Sequence, residues 1–132
     1  MLHHVSFGVS NIERSAVFYD AALAPLGYMR VWEDIRPGEG DQAVGYGVAG
    51  GGDKFAIKSC LEGQRPPGPG FHLAFAATSQ AAVASFYEAA MAHGGTDNGR
   101  PGLRPHYGAH YFAAFVIDPD GHHIEAVCNT LV

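Results

Sequence analysis

The amino-acid sequence predicts an α+β fold made of two β-α-β-β-β modules, and three observations lead to this prediction. The segment "HHVSFGVSNIERSAVFYDAAL" (3–23) aligns without a gap with "FHLAFAATSQAAVASFYEAAM" (71–91), at an offset of 72 − 4 = 68. A Pro- and Gly-rich segment, "GQRPPGPG" (63–70), separates the two halves and stops any regular element. Each half shows one strand pattern, one helix pattern and then further strand patterns, as expected of a duplicated unit.

The length and composition agree with a compact domain. The chain has 132 residues, of which 47% are hydrophobic and 16% charged, so a buried core is expected and disorder is not. We therefore predict a single domain over 1–132. It contains a first module at 1–62, a linker at 63–70 and a second module at 71–132.

The elements of the first module follow in order. "HHVSFGV" alternates between apolar residues and small or polar ones, which predicts a half-buried strand. Ser10 and Glu13 form a capping box, which predicts a helix that ends near Leu23. A second strand is expected around "YMRVWED" (28–34). The segment 40–60 is expected to form a hairpin with a Gly-rich turn.

The second module repeats these patterns. "LAFAA" (73–77) is the expected strand, and Thr78 or Ser79 is the expected cap of the following helix. "AHYFAAFVIDPDGHHIEAVC" (109–128) reads as a hairpin. Its turn at Asp118–Gly121 would place Ala114 opposite Glu125, with His110, Phe112 and Val116 on the face of that glutamate.

Alternation also predicts which side chains face away from the helices. The apolar residues of each first strand should face the helix, so His4 and His72 face the other way and are followed by small residues that leave room. In the last strand the apolar set includes Cys128, which predicts that this cysteine, and Cys60 by the repeat, is a core residue. Glu125 then shares its face with the two histidines.

Two imidazoles and one carboxylate on a shared face are typical of a divalent metal site with open coordination positions. Most single strand histidines are solvated or bonded within the core. The equivalent placement of His4 and His72 in the two modules favours a site that includes Glu125. This ligand set accepts Fe, Mn, Ni, Co or Zn, so it does not identify the metal.

Further residues are candidates for proton transfer and substrate binding. His110, or alternatively His123, is a candidate proton-transfer residue, because imidazole titrates near neutral pH. Tyr46 and Phe55 are placed on the ligand face by the repeat. The full set of predicted substrate-binding residues is Trp32, Tyr46, Phe55, Arg104, Tyr107 and His123.

Charge and hydropathy exclude other classes of partner. The formal net charge is −5 and no Lys/Arg cluster is present, so nucleic acid is not an expected partner. No apolar run approaches the roughly 20 residues needed to cross a bilayer. The N-terminal segment lacks the charged and apolar regions of a signal peptide, and only two cysteines are present, which predicts a cytoplasmic protein with reduced thiols.

The quoted first-strand segment, extended to "HHVSFGVSNIERSAVFYDAALAPLGY", and the ending "AAFVIDPDGHHIEAVC" resemble the vicinal oxygen chelate superfamily of glyoxalases, bleomycin-resistance proteins and extradiol dioxygenases. The resemblance covers essentially the whole chain. It implies that the sheets form a cupped, mostly antiparallel half-barrel with the helices outside. It also implies that His4, His72 and Glu125 bind a divalent metal ion, and that the protein forms a homodimer.

One position departs from the glyoxalase I pattern. At offset 68 the counterpart of Glu125 is residue 125 − 68 = 57, which is Ile57. Members similar to glyoxalase I have a glutamate ligand there, and an isoleucine cannot coordinate a metal. The expected three-ligand site therefore resembles those of extradiol dioxygenases and fosfomycin-type thiol transferases more closely.

Three functions remain open on these residues. The first is a metal-dependent enzyme, such as a lyase, dioxygenase or thiol transferase, in which the ion acts as a Lewis acid on a small oxygen-rich substrate. The second is a non-catalytic protein that binds and sequesters a drug, as in the bleomycin-resistance type. The third is a structural or regulatory domain with a vestigial site.

Overall fold

The computed structural model describes residues 1–60 and 66–131, and these residues form the predicted α+β arrangement of two modules. The first module contains β1 (Val5–Val9), α1 (Ile12–Leu23), a 3₁₀ turn (Ala24–Leu26), β2 (Met29–Asp34), β3 (Ala43–Gly47) and β4 (Phe55–Ser59). The second contains β5 (Leu73–Ala76), α2 (Gln80–Ala92), β6 (Thr96–Leu103), β7 (Phe112–Ile117) and β8 (His123–Cys128). Of the predicted linker, residues 63–65 lie outside the described residues, and 66–70 contain neither helix nor strand.

The strands form two separate, open, four-stranded sheets with the same topology. The strand order is β1-β4-β3-β2 in the first sheet and β5-β8-β7-β6 in the second. The first and last strands of each module pair in parallel, and the other neighbours are antiparallel. β1 and β5 are therefore edge strands, while β8, which carries Glu125, lies between two neighbours. Neither described helix has the length and apolar character needed to cross a membrane.

The caps of the two helices are only partly as predicted. Asn11, not Ser10, caps α1, and its side chain accepts a hydrogen bond of 3.0 Å from the backbone N–H of Arg14. Ser10 is engaged elsewhere, because its hydroxyl donates to Asp120 of the second module at 2.5 Å. Ser79 caps α2 as predicted.

The predicted core faces of β1 and β8 are confirmed. Phe7 and Val9 of β1 are buried on the helix side, as are Ile124 and Cys128 of β8. Cys60 is only half-buried, so the prediction that it is a core residue is wrong; both cysteines are free thiols. Buried residues of both modules form one hydrophobic cluster, so the modules share a core. Burying this apolar surface is the main source of stability for a domain of this size.

The two modules contact each other through their helix sides. The ring of Phe7 stacks on His122 with the centroids 4.2 Å apart, and the Tyr19 hydroxyl donates to Asp118 at 2.6 Å. The two helices also pack against each other. Each sheet therefore turns its other face, which carries Glu125 in the second module, away from the contact between the modules.

The repeat does not keep one offset to the end of each module. Val5 pairs with Phe55 in the first sheet, and its counterpart Leu73 pairs with Ile124 in the second. The first strands differ by 73 − 5 = 68 residues, but the last strands differ by 124 − 55 = 69. One additional residue has therefore entered the second module between its first and last strands.

This shift corrects the residue that corresponds to Glu125. The counterpart is residue 125 − 69 = 56, which is Ala56, and the assignment to Ile57 was wrong by one position. Ile57 is paired with Phe7 and fully buried on the helix side. Because Ala56 carries no donor atom, the first module still lacks a carboxylate at this place.

Candidate metal centre

The candidate centre is built around Glu125, which lies on the face of β8 opposite the core. Its carboxylate is 1% exposed, and its Oε1 lies 3.0 Å from Nε2 of His72. His72 precedes β5, and its side chain is 48% exposed. Ala74, which pairs with Glu125 across the two strands, is too small to cover the pair. An imidazole and a carboxylate are thus adjacent on an open sheet face.

Tyr111 holds the second oxygen of this carboxylate. Its hydroxyl donates to Oε2 of Glu125 at 2.5 Å. Burial, together with this hydrogen bond and the charge of Glu125, raises the pKa of Tyr111 to about 12, so the phenol stays protonated at neutral pH. Oε1 remains directed toward His72. A hydrogen-bonded partner of this kind is a common support for a metal-binding carboxylate.

Sequence reasoning missed Tyr111 because it placed the hairpin register one residue too early. Ile117 pairs with His123, so five residues, 118–122, connect β7 and β8 instead of four. Phe115, not Ala114, is therefore opposite Glu125. Ala114 and Val116 are buried on the helix side, against expectation. Alternation from Phe115 then brings Tyr111, not His110, to the side of the glutamate.

Aromatic and cationic side chains surround the His72–Glu125 pair. The Phe115 ring lies with its centroid 6.3 Å from that of His72. The guanidinium carbon of Arg104 lies 5.4 Å from the same Phe115 ring. The exposed ring of Tyr107 lies 5.2 Å from that of Tyr111. Two of the predicted substrate residues, Arg104 and Tyr107, are thus brought to this region.

The two remaining histidines of this part of the chain are less closely placed. His123 is exposed, and it lies two residues from Glu125, hence on the same side of β8. His110 is exposed in the turn before β7, and within the described residues it makes no hydrogen bond to Glu125. Its role in proton transfer stays a prediction.

The equivalent face of the first sheet carries Trp32. Trp32 pairs with Gly45, and a Cβ at Gly45 would overlap the indole ring, so the ring covers the glycine. Gly45 in turn pairs with Ala56. This face therefore offers an aromatic surface and small residues at the place where the second sheet has Glu125.

Tyr46 and Phe55 lie on the opposite side from the one predicted. Tyr46 is 1% exposed, and its hydroxyl donates to Asp20 on α1 at 3.0 Å. Phe55 packs edge-on against Phe75, with the centroids 5.2 Å apart. Phe55 was assigned from His123 with an offset of 68 instead of 69, and Tyr46 was assigned from Ala114, which itself lies on the helix side. Both residues instead border a groove between the modules.

His4 lies apart from the other two predicted ligands. It is exposed directly before β1, and its Nδ1 lies 2.8 Å from that of His3. It borders the same groove between the modules as Tyr46 and Phe55. Across residues 1–60 and 66–131, no three His, Cys, Asp or Glu side chains are grouped to hold a metal ion. One chain thus brings His72 and Glu125 together without His4.

Comparisons with known proteins agree on one family. The sequence model of the Glyoxalase/Bleomycin resistance protein/Dioxygenase superfamily matches residues 1–126. The chain is similar to a glyoxalase/bleomycin resistance protein from Albidiferax ferrireducens T118, with 33% identity, a TM-score of 0.72 and coverage of 94% of each chain. No curated protein sequence matches the chain.

More distant structures share the fold. A glyoxalase I mutant from Zea mays is 22% identical with a TM-score of 0.72, and the match covers 96% of this chain and 45% of the maize chain. A mutant of the fosfomycin resistance protein FosX from Listeria monocytogenes is 17% identical with a TM-score of 0.69, and the match covers 99% and 93% of the two chains. That protein is complexed with Mn(II) and 1S,2S-dihydroxypropylphosphonic acid.

Proposed function

Because the chain belongs to the glyoxalase/bleomycin resistance protein/dioxygenase superfamily, we propose that it is a metal-dependent enzyme acting on a small molecule with two neighbouring oxygen atoms. The observation that carries the proposal is the His72–Glu125 pair, with Nε2 and Oε1 3.0 Å apart on an open sheet face. Imidazole and carboxylate are both ligands of divalent transition metals. Glu125 has no Lys or Arg partner among the described residues, and a buried carboxylate of this kind is unusual unless it serves a site.

We propose that His4 of a second copy of the chain completes the site. His4 is exposed and does not join His72 and Glu125 within one chain. β1 and β5 are edge strands, and no described helix covers the sheet faces that carry Trp32 and Glu125, so a second copy can lay its first module beside this second module. A twofold dimer would contain two such sites, each with ligands from both copies. This supports the expected homodimer.

Each residue of the site has a distinct part in this proposal. A divalent ion, whether Fe, Mn, Ni, Co or Zn, would supply a Lewis acid to two adjacent substrate oxygens. Tyr111 fixes the Glu125 carboxylate, so that Oε1 alone faces His72. Phe115 and Tyr107 provide apolar walls beside the pair, and Trp32 provides one on the first sheet. The nature of the walls favours a small substrate with an apolar part.

Metal analysis tests this proposal. Protein stripped with a chelator should take up about one Mn, Fe, Co, Ni or Zn ion per chain. His72→Ala and Glu125→Gln should lower the metal affinity by about a hundredfold or more, because losing a metal ligand weakens binding more than losing a residue that is hydrogen-bonded to a ligand. His93→Ala is the matched control, because His93 is exposed and bonded to the Ala89 carbonyl of α2. No uptake by the wild type, or equal uptake by all four proteins, would contradict the proposal.

A non-catalytic small-molecule binder is the second candidate. The observation that favours it is the groove of about 250 Å³ between the modules, which is lined mainly by apolar residues such as Leu23, Phe55 and Leu73. Pockets of this kind bind small apolar ligands. Binding of a hydrophobic dye to metal-free protein, unchanged by Glu125→Gln and lost on Phe55→Trp, would support this function over the enzyme.

A further inference from the structure

We propose that Arg104 forms an anion-binding subsite beside the His72–Glu125 pair. The substrate would then carry a carboxylate or phosphonate group in addition to its two neighbouring oxygens. This inference rests on the proposed function, because it names the substrate class of the same site.

Two backbone carbonyls and the Phe115 ring hold the guanidinium of Arg104 in a defined position. Its Nη2 donates to the carbonyl of Arg100 at 2.7 Å, and its Nη1 lies 3.5 Å from the carbonyl of Leu103. The group lies over the Phe115 ring, with the guanidinium carbon 5.4 Å from the centroid. A cation held against an aromatic face in this way loses part of its freedom before any ligand binds.

Two glycines of β6 leave space for the guanidinium of Arg104. A Cβ at Gly102 would lie 3.0 Å from Nη1 of Arg104, and one at Gly99 would lie 3.3 Å from Nη2. Gly99 also has a φ of +148° and would bring a Cβ 2.9 Å from the Phe115 ring. Larger residues at these positions would push the guanidinium off the ring. The strand is thus shaped to accept the side chain of Arg104.

The charge of Arg104 has no carboxylate partner among the described residues. Arg14, Arg30 and Arg36 each form ion pairs, with Nη or Nε to carboxylate distances of 3.0, 2.8 and 2.7 Å respectively. Arg104 uses backbone carbonyls instead, which leaves most of its five N–H donors available. A planar guanidinium of this kind matches the oxygen pair of a carboxylate or phosphonate.

The subsite adjoins the candidate metal centre. The Phe115 ring lies 6.3 Å from the His72 ring and 5.4 Å from the guanidinium carbon of Arg104, and Phe115 is paired with Glu125. One aromatic ring is therefore close to both the cation and the ligand pair. A small molecule that lies along Phe115 can place two oxygens at the metal position and an anionic group at Arg104.

Binding of two matched catechols tests the inference. Mn-loaded protein is titrated under argon with 3,4-dihydroxyphenylacetate and with 4-methylcatechol, which share the oxygen pair and differ in the anionic group. The wild type should bind the anionic probe at least about tenfold more tightly, as expected for a charge-assisted hydrogen bond. Arg104→Gln should remove this preference and leave the Mn affinity unchanged. Arg104→Lys should retain part of it.

Arg100→Gln is the matched control, since it alters a nearby arginine on β6 and keeps the backbone carbonyl that Arg104 uses. Competition by acetate and by methylphosphonate then tells which anionic group fits better. Equal affinity for the two catechols in the wild type, including no detectable binding of either, would overturn the inference. So would an Arg104→Gln variant that keeps the preference. Failure of the wild type to bind Mn, Fe, Co, Ni and Zn alike would instead overturn the proposed function, so the two failures are distinguishable.

Discussion

At the scale of single residues, the site depends on how one buried carboxylate is held. Glu125 is 1% exposed, yet it points away from the core, and its two oxygens have different neighbours. Oε2 accepts from Tyr111, and Oε1 faces His72. Burying a charge costs free energy unless the charge is hydrogen-bonded. The contacts with Tyr111 and His72 therefore explain how a carboxylate can be buried at this position. The same contacts would orient it as a ligand in the proposed metal site.

Removing the Tyr111 hydroxyl should therefore weaken metal binding without unfolding the protein. Tyr111→Phe frees Oε2, lets the carboxylate rotate and should lower the metal affinity by about tenfold. Titration against a competing chelator measures this. Tyr107→Phe is the control, because Tyr107 contacts the Tyr111 ring but is exposed and makes no hydrogen bond to Glu125. Equal affinities of the two variants would show that the hydroxyl has no such role.

At the scale of elements, the turn between β7 and β8 joins the modules. Asp120 accepts from Ser10 and lies 3.0 Å from Arg14 at the start of α1. Asp118 accepts from Tyr19, and burial raises the pKa of Asp118 despite these bonds. His122 lies 2.7 Å from the carbonyl of Gly8 through its Nε2. The turn that sets the position of Glu125 is thereby fixed to the first module.

The contact made by Asp120 should give a pH-dependent stability. Burial opposes ionisation of Asp120, but hydrogen bonds from Ser10 and the charge of Arg14 outweigh it and lower its pKa. Because the pKa is lower in the folded protein, the stabilisation is present above about pH 4, the unfolded value, and is lost as pH falls through the folded one.

Asp120→Asn should therefore lower the free energy of unfolding by about 1–3 kcal/mol at pH 7, and by progressively less as the pH falls below 4. Urea unfolding at several pH values measures the difference. Asp53→Asn is the control, since Asp53 has no ion-pair partner within the part of the chain that the structure describes. If the loss of unfolding free energy in Asp120→Asn did not change with pH, the lowered pKa of Asp120 would not be its cause.

The position of Trp32 over Gly45 on the first sheet can also be tested. Gly45→Ala should displace the indole ring of Trp32, because the new methyl group would occupy its place. Trp32 is the only tryptophan, so its fluorescence emission should shift to the red as the ring becomes more exposed. Gly52→Ala is the control, since nothing lies within 4 Å of a Cβ there. An unchanged emission maximum in Gly45→Ala would show that the indole ring of Trp32 does not lie over Gly45.

Sequence alternation predicted the faces of β1 and β8 correctly, because a strand with one buried side must keep its apolar residues on that side. It failed where a turn length had to be assumed. A five-residue turn in place of four moved the partner of Glu125 from Ala114 to Phe115. The same kind of slip placed Tyr46 on the wrong side. Alternation alone does not count the residues of a loop, so Tyr111 was missed.

At the scale of the whole molecule, the two modules pack through their helix sides and leave two bare sheet faces. The repeat in the sequence predicted the modules, since each half carries its own strand and helix patterns. It did not predict which module faces which, because packing between modules depends on contacts such as Phe7 with His122 that no periodicity shows. The place of His4 relative to His72 and Glu125 follows from this packing.

We propose that each metal site is shared between two copies of the chain. Co-expression of His4→Ala and His72→Ala chains with different tags, followed by tandem purification, isolates the mixed dimer. In a shared arrangement this dimer has one site that lacks both histidines and one intact site, so it should bind about half the wild-type metal, while each variant alone binds none. A mixed dimer without metal, or a protein that yields no mixed dimer, would contradict the claim.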